Sequence, residues 1–309
     1  IRQSTAEYVL MLNPDTIVAE DAIRMIIDFA DSHPQAGGIG VRMHNDWGTT
    51  ARESRRGLPS PMTSFYKMIG LSKRLPQHRK FGRYYMGWLP WDSPSRIEAV
   101  SGACFLVRRK ALDKVGLMDE DYFMYGEDID LSYRLLKGGW ENWFVPADII
   151  HYKGESTQKT SFNYVHVFYN AMLIFMRKHY SHLSWLIIWP LQIAVYFIAL
   201  LALMATLFDR MKKSLGFGGR YKIEFPVLYL EGSNTMKEKC RAIAMRKGLS
   251  VIDSLDDCKQ NIVVRVFDPS EMSYADIIKH MSESANNRVR LGLYHNDKDI
   301  IITQMEVYG

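Results

Sequence analysis

The chain has 309 residues, 47% hydrophobic and 24% charged, enough for two ordinary domains and too apolar for wholesale disorder. A formal charge of +5 suits a protein near an anionic membrane or one handling phosphorylated substrates, and it does not argue for nucleic acid. Cys104, Cys240 and Cys258 stand far apart without a CxxC pair, which gives neither a disulfide framework nor a zinc site and suits a reducing compartment.

The chain opens on Ile1, and "EYVLML" (7–12) reads as a buried strand almost at once, so the sequence is expected to be a fragment. The strand ends at the turn Asn13-Pro14-Asp15. Ile23, Ile26, Ile27 and Ala30 then follow at helical spacing up to a proline stop, and "AGGIGVRM" (36–43) reads as a second strand. Residues 45–98 are rich in Arg, Pro, Gly and aromatics, which predicts long loops and short helices over a cleft. "RIEAVSGACFLVRR" reads as one strand, "KALDKVG" as a helix closed by Gly116, and "EDIDLSYRLLKGG" as a helix closed by Gly138-Gly139. "WENWFVPADIIHYKG" is a further strand and turn. This alternation predicts an α/β sheet over 1–160.

An amphipathic helix is expected over 161–182. Residues 183–208 then run 26 positions without a charge. As a helix that is ~39 Å, against a hydrocarbon core of ~30 Å, so a membrane segment is predicted. Basic residues flank both its ends, and Pro190 offers a break, so a single span and a re-entrant dip both stay open. A basic, glycine-rich linker (209–223) leads to a small second α/β domain (224–309), in which Ser273 and Asp276 are placed as a capping box for "SYADIIKHM".

Three segments carry possible chemistry. Asp15 follows a strand, at the sheet edge where α/β folds bind ligands, and a carboxylate there can hold a hard cation bridging a diphosphate. The plain alternative is an Asn-Pro-Asp turn. Glu127 and Asp128 open a helix, where the dipole favours the ionised form, and a carboxylate aimed into a cleft can act as general base. The alternative is dipole compensation together with an Asp130–Arg134 pair on a solvated face. His151 follows a strand and could ligate a metal or donate to phosphate, or it could be purely structural.

In order, "EYVLMLNPDT", "SRRGLPSP" and "VSGACFLVRRKALDKVGLMDEDYFMYGEDIDLSYRLLKGGWENWFVPADIIHYKGES" resemble the family 2 glycosyltransferases of GT-A fold, in their rhamnosyltransferase-like branch. The resemblance covers roughly residues 1–180. It implies a partial GT-A domain and an inverting transfer of sugar from a nucleotide-diphosphate donor to a lipid-linked saccharide in bacterial polysaccharide biosynthesis. It further implies Mn²⁺ or Mg²⁺ near Asp15 and His151, Asp128 as base with Glu127 beside it, and Ser101, Gly102 and Ala103 lining the donor-sugar pocket. Arg55 and Arg56 are implied to meet a charged acceptor or diphosphate. Asn13 stands where the family's metal motif begins with Asp. The family's first, nucleotide-gripping units would precede Ile1, so this chain by itself is expected to be inactive. The implied location is the inner membrane of a bacterium, with the catalytic domain on the cytoplasmic face.

The C-terminal part resembles the Rossmann-like domain of bacterial polyprenyl-phosphate sugar-phosphate transferases. Its "YLEGSNTMKEK" turn has one glycine, Gly232, and no G-x-G-x-x-G, so a regulatory or partner-docking role in polysaccharide assembly is expected. The rival reading of the whole chain is a non-catalytic relative that binds sugar nucleotide or scaffolds an assembly complex, for which Asn13 is the best support.

Overall fold

The computed structural model describes residues 1–152, 162–180, 226–255, 262–285 and 288–309, and single positions between 193 and 214. The first sheet is built on β3 (Ala36–His44), an almost wholly buried strand whose near-continuous apolar run suits the centre of a sheet. It pairs parallel with β6 (Glu141–His151) and antiparallel with β5 (Cys104–Arg108). β1 (Tyr8–Leu12) lies antiparallel outside β5, with Leu12 opposite Cys104. β2 (Thr16–Val18) and β4 (Ser95–Ile97) pair with β6, and Thr16 sits opposite His151.

α1 (Ala22–Ser32) buries Ala22, Ile26 and Ala30, whereas Ile23 of the predicted apolar set is 41% exposed. The predicted 45–98 region holds a short 3-10 turn (Arg52–Ser54), α2 (Pro61–Met68), α3 (Leu71–Arg74) and β4. The strand expected over 96–109 is divided into β4 and β5, and Ser101, Gly102 and Ala103 lie in the turn between them rather than on a strand. α4 (Arg109–Val115) stops at Gly116, and α5 (Glu127–Lys137) buries Leu131 and Leu135 in a core with Phe105 and Phe144.

α6 (Phe162–His179) docks its last turn on α5. There the Asp130–Arg134 pair, expected on a solvated face, is a buried cluster. Asp130 is fully buried, accepts from Arg134 Nε at 2.7 Å and faces His179 Nε2 at 2.6 Å. Burial raises the Asp130 pKa, but the hydrogen bonds of His179 and Arg134 outweigh it, and the carboxyl ends below its ordinary value.

The second sheet has the order β12-β11-β10-β9-β7-β8. β7 (Val227–Glu231), β8 (Val251–Ile252), β9 (Val263–Phe267) and β10 (Val289–His295) are parallel. β11 (Ile300–Thr303) and β12 (Val307–Tyr308) close it antiparallel. Its helices are α7 (Asn234–Lys247) and α8 (Tyr274–Glu283), and Ser273 caps α8 by accepting from Asp276 N at 3.1 Å, as its spacing predicts.

The two sheets share a core. Ile277, Ile278 and Met281 of α8 are buried together with Ala19, Ile26, Met43 and Ile149 of the first sheet. Glu20 accepts from Tyr274 N at 2.7 Å and Ala275 N at 3.0 Å, so a carboxylate of the first unit terminates a helix of the second. Gly48 has φ 76°, and a Cβ there would stand 1.9 Å from Met281 O, so only glycine fits this turn against α8.

Among the described residues no helix is long and apolar enough to cross a membrane. The predicted membrane segment 183–208 and the linker 209–223 lie largely outside the described residues.

Candidate active site

The site forms where β1 and β6 end and α5 begins. The backbone builds it first: Asn13 N donates to Ala103 O at 3.0 Å, and Tyr152 N donates to Asp15 O at 3.0 Å. These two bonds hold the Asn13–Asp15 turn between the turn before β5 and the end of β6. His151 Nε2 consequently lies 3.2 Å from Asp15 Oδ1 and 3.3 Å from Asn13 Nδ2. The three side chains converge on one point at the sheet edge.

On the other side of Ala103, Gly102 N donates to Asp128 Oδ2 at 2.9 Å. The same oxygen takes Arg56 Nη2 at 2.5 Å, and Arg56 also reaches Val100 O at 3.2 Å. Asp128 Oδ1 accepts from Ile129 N at 2.8 Å. A carboxylate offers about four lone-pair sites. Three are used, so Asp128 retains room for a hydroxyl donor. Both Arg56 and Asp128 side chains are 13% exposed, so this ion pair is mostly shielded from water. Burial lowers the Arg56 pKa, but the charge of Asp128 more than reverses that, leaving it raised.

Glu127 differs from its neighbour. Burial, reinforced by the Asp128 charge, raises its pKa. Its Oε2 is buried without a hydrogen-bond partner, as is Arg56 Nε. Orphaned polar atoms of this kind call for an explanation, strain, a catalytic role or a water among them; Arg55 Nε, outside the cluster, is another. The turn leading into α5 is strained as well: Tyr125 (φ 67°) and Gly126 (φ 89°) are consecutive left-handed residues, and for tyrosine that conformation is costly.

Arg55 does not join the cluster. It is 3% exposed, with its guanidinium stacked over Trp91 at 3.4 Å and a hydrogen bond to Leu89 O. Burial pulls its pKa down to about 10. Ser101 is half-buried in the same turn as Gly102. Of the expected site residues, the structure therefore links Asp15, His151, Ala103, Gly102, Asp128 and Arg56 into one chain of contacts, with Glu127 adjacent.

Two features escaped the sequence reading. Ser132 accepts from Val100 N at 3.0 Å and donates to Asp128 O at 2.7 Å, tying α5 to the turn before β5. Its position four residues after Asp128 was the available signal. Asp148 on β6 is held by Arg42 (2.5 and 2.7 Å) and faces His44 Nε2 at 2.8 Å. No sequence spacing announces it, because the three residues meet only across the β3–β6 pairing.

Among the described residues no three His, Cys, Asp or Glu side chains gather as a metal cage. Asp15 Oδ1 and His151 Nε2, 3.2 Å apart, could share a cation that takes the rest of its shell from substrate phosphate oxygens and water.

A sequence profile described as "Glycosyltransferase like family 2" matches residues 1–166. An N-acetylglucosaminyl-diphospho-decaprenol L-rhamnosyltransferase of Mycobacterium tuberculosis is 31% identical over 186 residues, 57% of this chain and 56% of the relative. Rhamnosyltransferase WbbL of Escherichia coli is 30% identical over 156 residues, 49% of this chain and 54% of the relative. The low-salt glycan biosynthesis hexosyltransferase Agl10 of Haloferax volcanii is 27% identical over 128 residues, 41% of this chain and 36% of the relative. The chain spans about half the length of the first two.

Proposed function

The chain belongs to the glycosyltransferase-like family 2, and we propose that its protein transfers a sugar, with inversion, from a nucleotide-diphosphate donor to a lipid-linked saccharide in bacterial polysaccharide assembly. The observation that carries this is the α5 N-terminus. Asp128 sits there with spare acceptor capacity, between Arg56 and the Gly102 N–H, beside an unpartnered Glu127 oxygen. The relative's decaprenol-linked acceptor supports the lipid-linked class, and the site belongs at a cytoplasmic membrane face.

In the mechanism, Asp128 takes the proton from the acceptor hydroxyl as that oxygen attacks the anomeric carbon. The bond from that carbon to the donor diphosphate breaks on the opposite face, so one displacement inverts the centre. Arg56 and the Gly102 N–H fix the carboxylate, and the missing side chain of Gly102 lets this backbone lie against Asp128, since a Cβ there would meet the Asp128 Cβ at 3.3 Å. Asp15 and His151 would hold Mn²⁺ or Mg²⁺, which supplies Lewis-acid stabilisation of the leaving diphosphate. A second reading draws on the raised Glu127 pKa, since a base poised nearer neutrality is the better proton acceptor. Glu127 then takes the proton while Asp128 positions it.

The test uses the natural full-length protein with a panel of nucleotide-diphosphate sugars, a polyprenyl-diphosphate saccharide and Mn²⁺ or Mg²⁺. The expected product has the anomeric configuration opposite to the donor by NMR, and chelation abolishes its formation. Retention of configuration, or no transfer from any donor, overturns the proposal.

A further inference from the structure

The segment that delivers Arg56 to Asp128 continues into a surface the transfer chemistry does not use. Residues 57–91, past the catalytic Arg56, contain six Lys or Arg and no Asp or Glu. Within them, α2 turns Thr63 and Tyr66 inward, 4% and 8% exposed, while Met62, Phe65 and Ile69 are 55%, 46% and 52% exposed. These three stand at i, i+3 and i+7, a single helical face. Leu75 adds a fourth exposed apolar side chain just past α3. Lys73, Arg74, Arg79 and Lys80 are exposed around it. An exposed apolar stripe with exposed cations and no acid in the same segment is the pattern of a helix lying in a membrane interface.

The position matters as much as the composition. Four residues separate Arg56 from the start of α2. Leu58, among those four, packs with Tyr122 and Tyr125 in one apolar cluster. That loop enters α5 and carries Phe123, which is 90% exposed. The exposed apolar side chains thus border the segment and the loop that frame Asp128.

We infer that the α2–α3 surface rests on an anionic bilayer and seats the acceptor mouth against the lipid. The purpose of that contact rests on the lipid-linked acceptor proposed above; the contact itself does not. A second copy of the chain is a poor occupant, because it would set the exposed cations Lys73, Arg74, Arg79 and Lys80 near their own copies. A bilayer rich in anionic headgroups complements the cations and buries the stripe together.

The experiment labels Ile69→Cys with an environment-sensitive NBD fluorophore in the Cys258→Ser chain, since Cys104 and Cys240 are buried free thiols. Phosphatidylglycerol/phosphatidylcholine vesicles should blue-shift the probe and raise its intensity several-fold. Pure phosphatidylcholine or high salt should reduce the change, and Lys73→Glu with Arg74→Glu should largely remove it. A probe at Met245→Cys, on α7 and 86% exposed, should stay aqueous. An Ile69 probe that stays aqueous while the protein floats with vesicles overturns the inference. So does a blue shift that appears without lipid and grows with protein concentration, which identifies a second copy as the occupant. The readout needs no turnover, so a failed transfer assay leaves it standing, and its own failure leaves the transfer reading untouched.

Discussion

The two sheets each present a helix N-terminus at the carboxyl end of a strand, and they use it in opposite ways. At α7 of the second sheet, Ser233 caps the helix by accepting from Met236 N at 3.2 Å. Glu271, from the loop after β9, then takes the Ser233 N–H at 2.8 Å and its hydroxyl at 2.5 Å. A protein carboxylate thus occupies the place a phosphate would take. At α5 of the first sheet the acids belong to the helix itself. Their partner Arg56 comes from a distant loop, one Glu127 oxygen has no partner, and the approach is strained. The α5 terminus keeps a carboxylate oxygen without a hydrogen-bond partner, and the α7 terminus is closed. Similar architecture therefore does not imply similar use; satisfied and unsatisfied polar atoms tell the two apart.

The comparison is broken most forcefully from beneath α5. Asp130→Asn leaves Arg134 and His179 without their buried anion and should cost about 3–5 kcal/mol, seen as a lower denaturation midpoint and faster amide exchange in α6. Because the Asp130 pKa is depressed in the folded state, its contribution is present above the unfolded value and is lost as pH falls through the lowered folded value. The variant should therefore lose part of the acid sensitivity of the wild type. A variant as stable as wild type at neutral pH would show that the cluster is not holding α6.

The adjacent arginines sharpen the contrast. Arg56→Ala strands Asp128 without its mostly buried partner and should lower transfer roughly 10²-fold, the scale of a misplaced catalytic group, with a stability loss of about 3–5 kcal/mol besides. Arg55→Ala removes the guanidinium stacked on Trp91 and should cost about 2 kcal/mol of stability while the folded variant keeps its transfer rate. Steady-state kinetics and chemical denaturation of both variants decide it, and exchanged phenotypes would reverse the assignment.

Glu127→Gln tests whether the acid with one unpartnered oxygen is strained. Its pKa is raised on folding, so its contribution to stability is present below the unfolded value and lost as pH rises through the folded one. The glutamine variant should melt a little higher than wild type at pH 8, with the gap closing toward pH 4. A lower melting point at pH 8 would mean the ionised form is well accommodated. The smallest effect belongs to the closed terminus, where Glu271→Gln should cost about 1 kcal/mol and leave transfer unchanged. Loss of transfer there would give the second sheet a part in the chemistry.

Much of this was legible before any coordinates. Apolar runs and helical spacings locate β1, α1, β3, α5 and β6, although β1, expected to be buried, is only half-buried and leaves Leu12 42% exposed. Asp15 reads alone as a turn and the acidic α5 start as dipole compensation; they stand out only together, in the order that carries the family resemblance. Arg55 and Arg56 could not be separated, since consecutive residues in an extended segment point to opposite faces and composition does not say which face holds the site. β2 is too short to show a period. The spacing of Ile277, Ile278 and Met281 reveals an amphipathic helix, but nothing local says that it packs on the first sheet.

One of two adjacent carboxylates, Asp128 or Glu127, moves the proton in the proposed transfer. The direct measurement is single-turnover sugar transfer by the full-length protein carrying Asp128→Asn, compared with Glu127→Gln, alongside donor affinity by calorimetry. Asp128→Asn should lower the transfer step by about 10²–10⁴-fold with donor affinity and fold retained, and Glu127→Gln should cost far less. Wild-type turnover by Asp128→Asn, with the loss falling on Glu127→Gln, would contradict the assignment of Asp128 as the base.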